Sequence, residues 1–228
     1  MQTKKDLDSF CFSHLEDEFH SDFANSRANN EFSVYVEDAT TIQLQAYAEQ
    51  DTQPNATCIL PLVVAGEKGV GKSTVIVNWA LKRNEASSNS TLGIGYEECV
   101  FFHAIGCSRL STQVSHLLRR LVSTLTKHFD LKDTIDLEDD KLPWILPRIL
   151  ERSSKKGRVT IVIDGGLQHI CSQDGDYGLK WLPSKLPPNG ECRSFTFLAI
   201  ASYTVQYSHS FTTAVRMIVA VTQPSKNP

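Results

Sequence analysis

Between residues 65 and 74 the chain reads Ala-Gly-Glu-Lys-Gly-Val-Gly-Lys-Ser-Thr, which meets G-x-x-x-x-G-K-[ST] at every fixed position. The residue types suit one task, holding a polyphosphate. Gly66, Gly69 and Gly71 permit main-chain angles that side chains disfavour, so the backbone can come close to phosphate oxygens. Glu67, Lys68 and Val70 fill the variable positions and, with the glycines, turn N–H groups inward as an anion nest. The helix that follows adds its positive N-terminal end. Lys72 supplies a mobile ammonium for the β- and γ-phosphates. Ser73 offers a hydroxyl to Mg2+, an ion that keeps several waters and uses few protein ligands. Thr74 is a second hydroxyl with no assigned role. A glycine-rich strand-to-helix turn without a ligand is the plainer alternative, but it leaves unexplained why lysine and a hydroxyl residue follow Gly71 directly.

A carboxylate completes the pattern. Arg158-Val159-Thr160-Ile161-Val162-Ile163-Asp164 is an apolar run ending in an acid, as in a Walker B strand. An aspartate at the carboxyl end of such a strand stands opposite the phosphate loop, where it can hold Mg2+ through water. Asp164 lies some ninety residues beyond Lys72 with one strand expected between them. His103, inside another apolar run, reads as a satisfied core histidine rather than a catalytic one.

These side chains need a scaffold, and the apolar runs predict one. Ile59–Val64 is a first strand feeding the loop, and Thr74–Arg83 is a helix with Val75, Ile76, Trp79, Ala80 and Leu81 on its apolar face. Asn84–Gly95 reads as an exposed loop. Cys99–Ile105 is a second strand, continuous enough to be buried on both faces. Ser111 is positioned to cap a helix running to about Phe129. Val114, Leu117, Leu118, Leu121, Val122 and Leu125 recur there at helical spacing, and Arg119, Arg120 and Lys127 face outward. After the acidic stretch Asp130–Asp140 comes a helix near Trp144–Arg152, then the Walker B strand, then a fourth strand at Ser194–Ala201 and a fifth at Val215–Val221. Together they predict an α/β fold, a three-layer P-loop NTPase whose central, mostly parallel sheet has the order 2-3-4-1-5, with the phosphate-loop strand central. Residues 1–50 form a helical N-terminal arm, 51–205 the nucleotide-binding core, and 206–228 a possible last strand and frayed tail. In the arm, Phe10, Leu15, Phe19 and Phe23 form an apolar stripe, while Glu16, Asp17, Glu18, His20 and Asp22 form a wet face. The arm is expected to break at Asn25–Asn30, to pass an extended Phe32–Val36, and to end in a helix over Thr40–Glu49 with Ile42, Leu44 and Tyr47 apolar.

With 228 residues, 41% of them apolar, the chain can bury a sizeable core. A net charge of −3 removes the general electrostatic case for nucleic acid or a membrane surface as partner. No apolar run approaches the roughly twenty residues of a membrane span. The start, Met1-Gln2-Thr3-Lys4-Lys5-Asp6, leads into an acidic stretch and is no signal peptide. The six cysteines form no C-x-x-C pair and read as reduced thiols of a cytoplasmic protein. No N-K-x-D guanine motif occurs, which favours ATP over GTP.

Several stretches carry a resemblance. "LPLVVAGEKGVGKSTVIVNWALKRN", "VFFHAIGCSRLSTQVSHLLRRLVSTL", "VTIVIDGGLQHI", "WLPSKLPP" and "HSDFANSR" are similar to parts of a NACHT-type P-loop module of the STAND class. The likeness is to modules in large tetratricopeptide-repeat proteins related to nephrocystin and the telomerase-associated protein, and it spans about residues 20–200. The resemblance implies that Gly66, Lys72 and Ser73 bind nucleotide and that Asp164 coordinates Mg2+. The family often carries a second acidic residue three positions after the first, proposed to polarise the attacking water. Here Leu167 stands there, and leucine cannot orient or deprotonate water. Gln168, the next residue, is the one catalytic candidate, and its ability to orient water is open. The chain stops before the winged-helix and repeat regions of such proteins, so the resemblance implies a fragment or truncated form. Its partners would be that missing repeat region or other proteins.

The expected function is a nucleotide-dependent switch or scaffold, binding ATP and Mg2+ with weak or absent hydrolysis, in a larger signalling or assembly protein. An active nucleoside triphosphatase or nucleotidase is the first alternative, opposed by Leu167. A degenerate, non-binding scaffold is the second, opposed by the intact loop.

Overall fold

The computed structural model describes residues 4–28, 39–49, 62–65, 69–88, 97–132, 141–165 and 195–201. In chain order these form α1 (Lys4–Ala28), α2 (Ala39–Glu49), β1 (Leu62–Ala65), α3 (Lys72–Ser88), β2 (Glu98–Ala104), α4 (Val114–His128), α5 (Leu142–Lys156), β3 (Arg158–Asp164) and β4 (Phe195–Ala201). The strands form a four-stranded sheet in the order β1-β4-β3-β2, and every pairing is parallel.

This corrects the expected architecture. The described structure is mostly helical, and its sheet has four described strands whose order, read from the other edge, is β2-β3-β4-β1, with β1 outermost among the described strands. The four described strands keep the sequence 2-3-4-1, but a five-stranded, three-layer P-loop NTPase sheet with its first strand central is not found among the described residues. The physical reason lies at both ends of the order. β1 has four residues and, among the described residues, pairs only with β4, while α1 and α2 add helix on the α3 side of the sheet. The fifth strand expected at Val215–Val221 lies outside the described residues, as does the extended segment expected at Phe32–Val36.

Period-two alternation in β2 and β3 divides the core. Cys99, Phe101, Val159, Ile161 and Ile163 pack with α4 and α5, whose Leu117, Leu121, Leu125, Leu146, Ile149 and Leu150 are fully buried. On the opposite face Val162, with Val100 and Phe102 beside it, packs against Leu44 and Ala48 of α2, Leu62 and Val64 of β1, and Ile76, Trp79 and Ala80 of α3. Asp164 shares the parity of Val162, so the alternation aims it toward the α3 face.

Helix boundaries differ from the periodic reading where hydrogen bonds outvote it. α3 begins at Lys72 and continues through residues 84–88, which were expected to be loop. α4 starts after Gln113, which makes no side-chain cap. Ser111 does not cap it either: its hydroxyl accepts from the amides of Gly106 and Ser108 and donates to Ser108 O, holding the β2–α4 turn closed. Lys127 and His128 in the last turn of α4 complement the helix dipole. α5 opens with Pro143 in its first turn, where a missing N–H costs nothing, and carries Pro147 inside.

Candidate functional site

The glycine-rich turn and the aspartate at the end of β3 meet. Ser73 lies in the first turn of α3, Asp164 is the last residue of β3, and Ser73 Oγ donates to Asp164 Oδ1 at 2.9 Å across 91 residues of sequence. Gly69 and Gly71 both take positive φ, +89° and +90°, and Gly71 O accepts from Val75 N at 3.0 Å, so the turn passes directly into the helix. Gly69, Val70 and Gly71 are exposed, and Lys72, Ser73 and Thr74 are half-buried. The helix N-terminus therefore faces solvent, as an anion site requires. Gly66, Glu67 and Lys68, the first part of the loop, lie outside the described residues, as do Leu167 and Gln168.

Asp164 is 2% exposed, and its second oxygen, Oδ2, is buried without a hydrogen-bond partner among the described residues. Burial pushes its carboxyl above the usual carboxylate range, against the Ser73 hydrogen bond, the charges of Arg27 and Lys72, and the Gly165 amide, all of which pull it down. A hydroxyl and a carboxylate with an orphaned oxygen make a hard-oxygen donor pair. That pair fits Mg2+, which takes few protein ligands and keeps its waters, and no group of three His, Cys, Asp or Glu able to hold a metal occurs among the described residues.

A second polar cluster joins α1 to the far end of β2. The Ala104 amide donates to His20 Nδ1 at 2.9 Å, and Cys107 Sγ lies 3.2 Å from the same nitrogen. Ser108 Oγ donates to Glu16 Oε2 at 2.8 Å, and Arg120 Nε donates to Asp17 Oδ1 at 2.9 Å. Arg120 also donates from Nη1 to His103 Nδ1 at 3.1 Å. His103 is therefore protonated on Nε2, which donates to Ser111 O at 2.8 Å. The His20 and His103 rings stand 4.3 Å apart. Burial, with the neighbouring histidine and the Arg120 charge, lowers His20 to about 2; burial and Arg120 lower His103 to about 3. Both imidazoles are neutral, and His103 is the core histidine its context suggested.

The expected α1 stripe is corrected by this cluster. Leu15 and Phe19 are 48% and 42% exposed, while Glu16, His20 and Ala24, two of them assigned to the wet face, are buried. Side chains of residues 4–13, Phe10 included, are outside what is described. α1 also continues through Asn25 to Ala28 without the expected break. In α2, Ile42 is exposed and Thr41, Leu44 and Ala48 are buried. Arg120, expected to face outward, is nearly enclosed.

Sequence reasoning missed Glu16, His20, Arg120 and Arg27 as interacting residues. A signal existed: acid, imidazole and small residue recur at positions 16, 20 and 24, one helix face, and "HSDFANSR" runs from His20 to Arg27. The cysteines offer no reactive centre among the described residues. Cys99 is a buried free thiol pushed up to about 12 chiefly by burial, and Cys107 is a half-buried one shifted upward the same way. A cavity of about 730 Å3 opens between α1, α3 and α4 along β2, lined by Asp17, Asn25, Leu81, Phe102, Arg120 and Lys127 among others; no described residue of the loop borders it. No helix among the described residues is long and apolar enough to cross a membrane.

The glycine-rich turn, Ser73 and Asp164 thus meet at the end of a parallel sheet in a described structure that is mostly helical. Over 134 residues, 58% of this chain, the sequence is 31% identical to nephrocystin-3 of Homo sapiens, 29% to that of Mus musculus and 28% to that of Xenopus laevis. The match covers 9% of the human and mouse proteins and 10% of the frog one, so the chain spans about a tenth of the length of the curated relatives it matches. No family model matches the chain.

Proposed function

We propose that this chain binds ATP with Mg2+ at its phosphate loop, as a NACHT-type nucleotide module of the STAND class, and serves as a nucleotide-dependent switch or scaffold in the cytoplasm. The observation that carries this is the Ser73–Asp164 contact with Asp164 Oδ2 left over: two residues far apart in sequence are joined, and one buried acceptor points at nothing among the described residues. An uncompensated buried carboxylate oxygen is costly, and a hydrated divalent cation would satisfy it. Ser73 and Asp164 would hold the ion, which when bound supplies charge neutralisation between the phosphate oxygens. Gly69, Val70 and Gly71 present main-chain N–H groups at the start of α3, and Lys72 adds its ammonium. No activating acid stands at position 167, so the module binds more than it turns over. Protein partners, among them a repeat region such as the resemblance implies, would sense the bound state.

Calorimetric titration of the purified chain with Mg–ATP, followed by a phosphate-release assay, tests this. Lys72→Ala should weaken binding about ten- to a hundredfold, the loss of one charge-assisted contact. A folded chain that binds no nucleotide would overturn the proposal. Robust multiple-turnover hydrolysis, lost in Lys72→Ala, would overturn the claim that binding dominates.

A further inference from the structure

We propose that Arg27, at the C-terminal end of α1, is a phosphate-facing residue of the nucleotide site, contributed by the N-terminal helix. This rests on the nucleotide-binding reading above.

The placement follows from helical geometry. At 100° per residue, the buried positions of α1, Glu16, His20 and Ala24, occupy an arc about 80° wide, and Arg27 falls inside that arc. It is nevertheless exposed. A residue on the seated face that meets solvent is one that overhangs the edge of the body beneath. The edge in question can be named. His20 is fixed to the amide of Ala104, the last residue of β2, and Ala104 is the register partner of Asp164, the last residue of β3. The Ile105 amide donates to Asp164 O at 2.7 Å, which closes that row. Arg27 stands seven residues beyond His20, about 10 Å along the helix axis, and α1 packs against α3, whose first turn carries Lys72 and Ser73. The guanidinium rests over the Phe23 ring, 5.2 Å from its centroid.

Arg27 on α1 and Lys72 on α3, two cations from different elements, thus stand at the end of the sheet that carries Asp164 and beside the N-terminus of α3. A lysine serves there as a point charge, whereas a guanidinium offers a planar fork that matches phosphate oxygens. Arg27 arrives from α1, whose hold on the body is the Glu16, Asp17 and His20 cluster. Bound polyphosphate would then draw on the seating of that helix, and by reciprocity would strengthen it.

The experiment titrates Mg–ATP into the full chain, Arg27→Ala and Arg27→Lys, and follows amide hydrogen exchange in α1 with and without nucleotide. Arg27→Ala should weaken Mg–ATP binding about tenfold or more. Without nucleotide, its α1 exchange and thermal melting should match those of the unsubstituted chain. Arg27→Lys should recover part of the affinity, and Mg–ATP should slow exchange in the last turns of α1 in the unsubstituted chain only. Binding by Arg27→Ala within about twofold of the unsubstituted chain, well below a charge-assisted contact, would overturn the proposal and leave nucleotide binding intact. Lost affinity accompanied by an unprotected α1 in the absence of nucleotide would overturn it too, by making Arg27 a seating residue. If the unsubstituted chain binds no Mg–ATP, the nucleotide reading falls and takes this one with it.

Discussion

α1 and α4 contact the same strand, β2, and are held by opposite chemistry. α4 lays six apolar side chains, Val114 to Leu125, into a dry interior. α1 turns two of its large apolar residues, Leu15 and Phe19, toward solvent and buries an acid, an imidazole and an alanine. The difference comes from what each helix meets. α4 faces the side chains of β2 and β3, which the pleat makes apolar on that side except at His103, where Arg120 of α4 supplies the partner. α1 meets the end of β2 and the turn after it, where the Ala104 amide, the Ser108 hydroxyl and the Arg120 guanidinium each need a partner. Leaving such groups unpaired costs more than exposing a phenylalanine in part. Apolar periodicity finds a helix's inner face only when the surface beneath it is apolar too.

The comparison breaks first at α4. Leu121→Ala empties a fully buried position, and thermal or urea unfolding should register a loss of about 2–5 kcal/mol. A loss below about 1 kcal/mol would mean that α4 is not a packed core element. Acidification sharpens the contrast from the other side. His20 and His103 are held well below the ordinary histidine value of 6.5, at about 2 and about 3. The unfolded chain therefore takes up protons below pH 6.5 that the folded one refuses. The stability these groups contribute is complete above pH 6.5 and declines as pH falls, by about 1.4 kcal/mol per pH unit for each imidazole. Stability measured from pH 7 to pH 5 should fall less steeply in His20→Gln than in the unsubstituted chain, and equal slopes would remove His20 from the account.

Smaller effects separate the two faces of α1. Asp17→Asn removes a partly exposed partner of Arg120, and unfolding should show a cost of about 0.2–1 kcal/mol. Phe19→Ala should change stability by no more than about 0.5 kcal/mol, since the ring is 42% exposed. If Phe19→Ala cost more than Asp17→Asn and Leu121→Ala cost no more than either, the two helices would not differ as described.

Some of this was legible from the chain alone, because it depends on neighbours in sequence. The α4 stripe, the strand Arg158–Asp164 and the turn through Gly69 and Gly71 follow from local periodicity and from residues whose backbone freedom is intrinsic. Pairing Ser73 with Asp164 was inferable as a motif, but its distance and the orphaned Oδ2 depend on strand alternation turning Asp164 to the α3 face. Rotating α1 toward its acid and imidazole and enclosing Arg120 of α4 were decided in three dimensions. Each depends on which unpaired polar groups another segment presents, and hydrogen-bond satisfaction between residues some 80 to 100 positions apart leaves no period in the sequence.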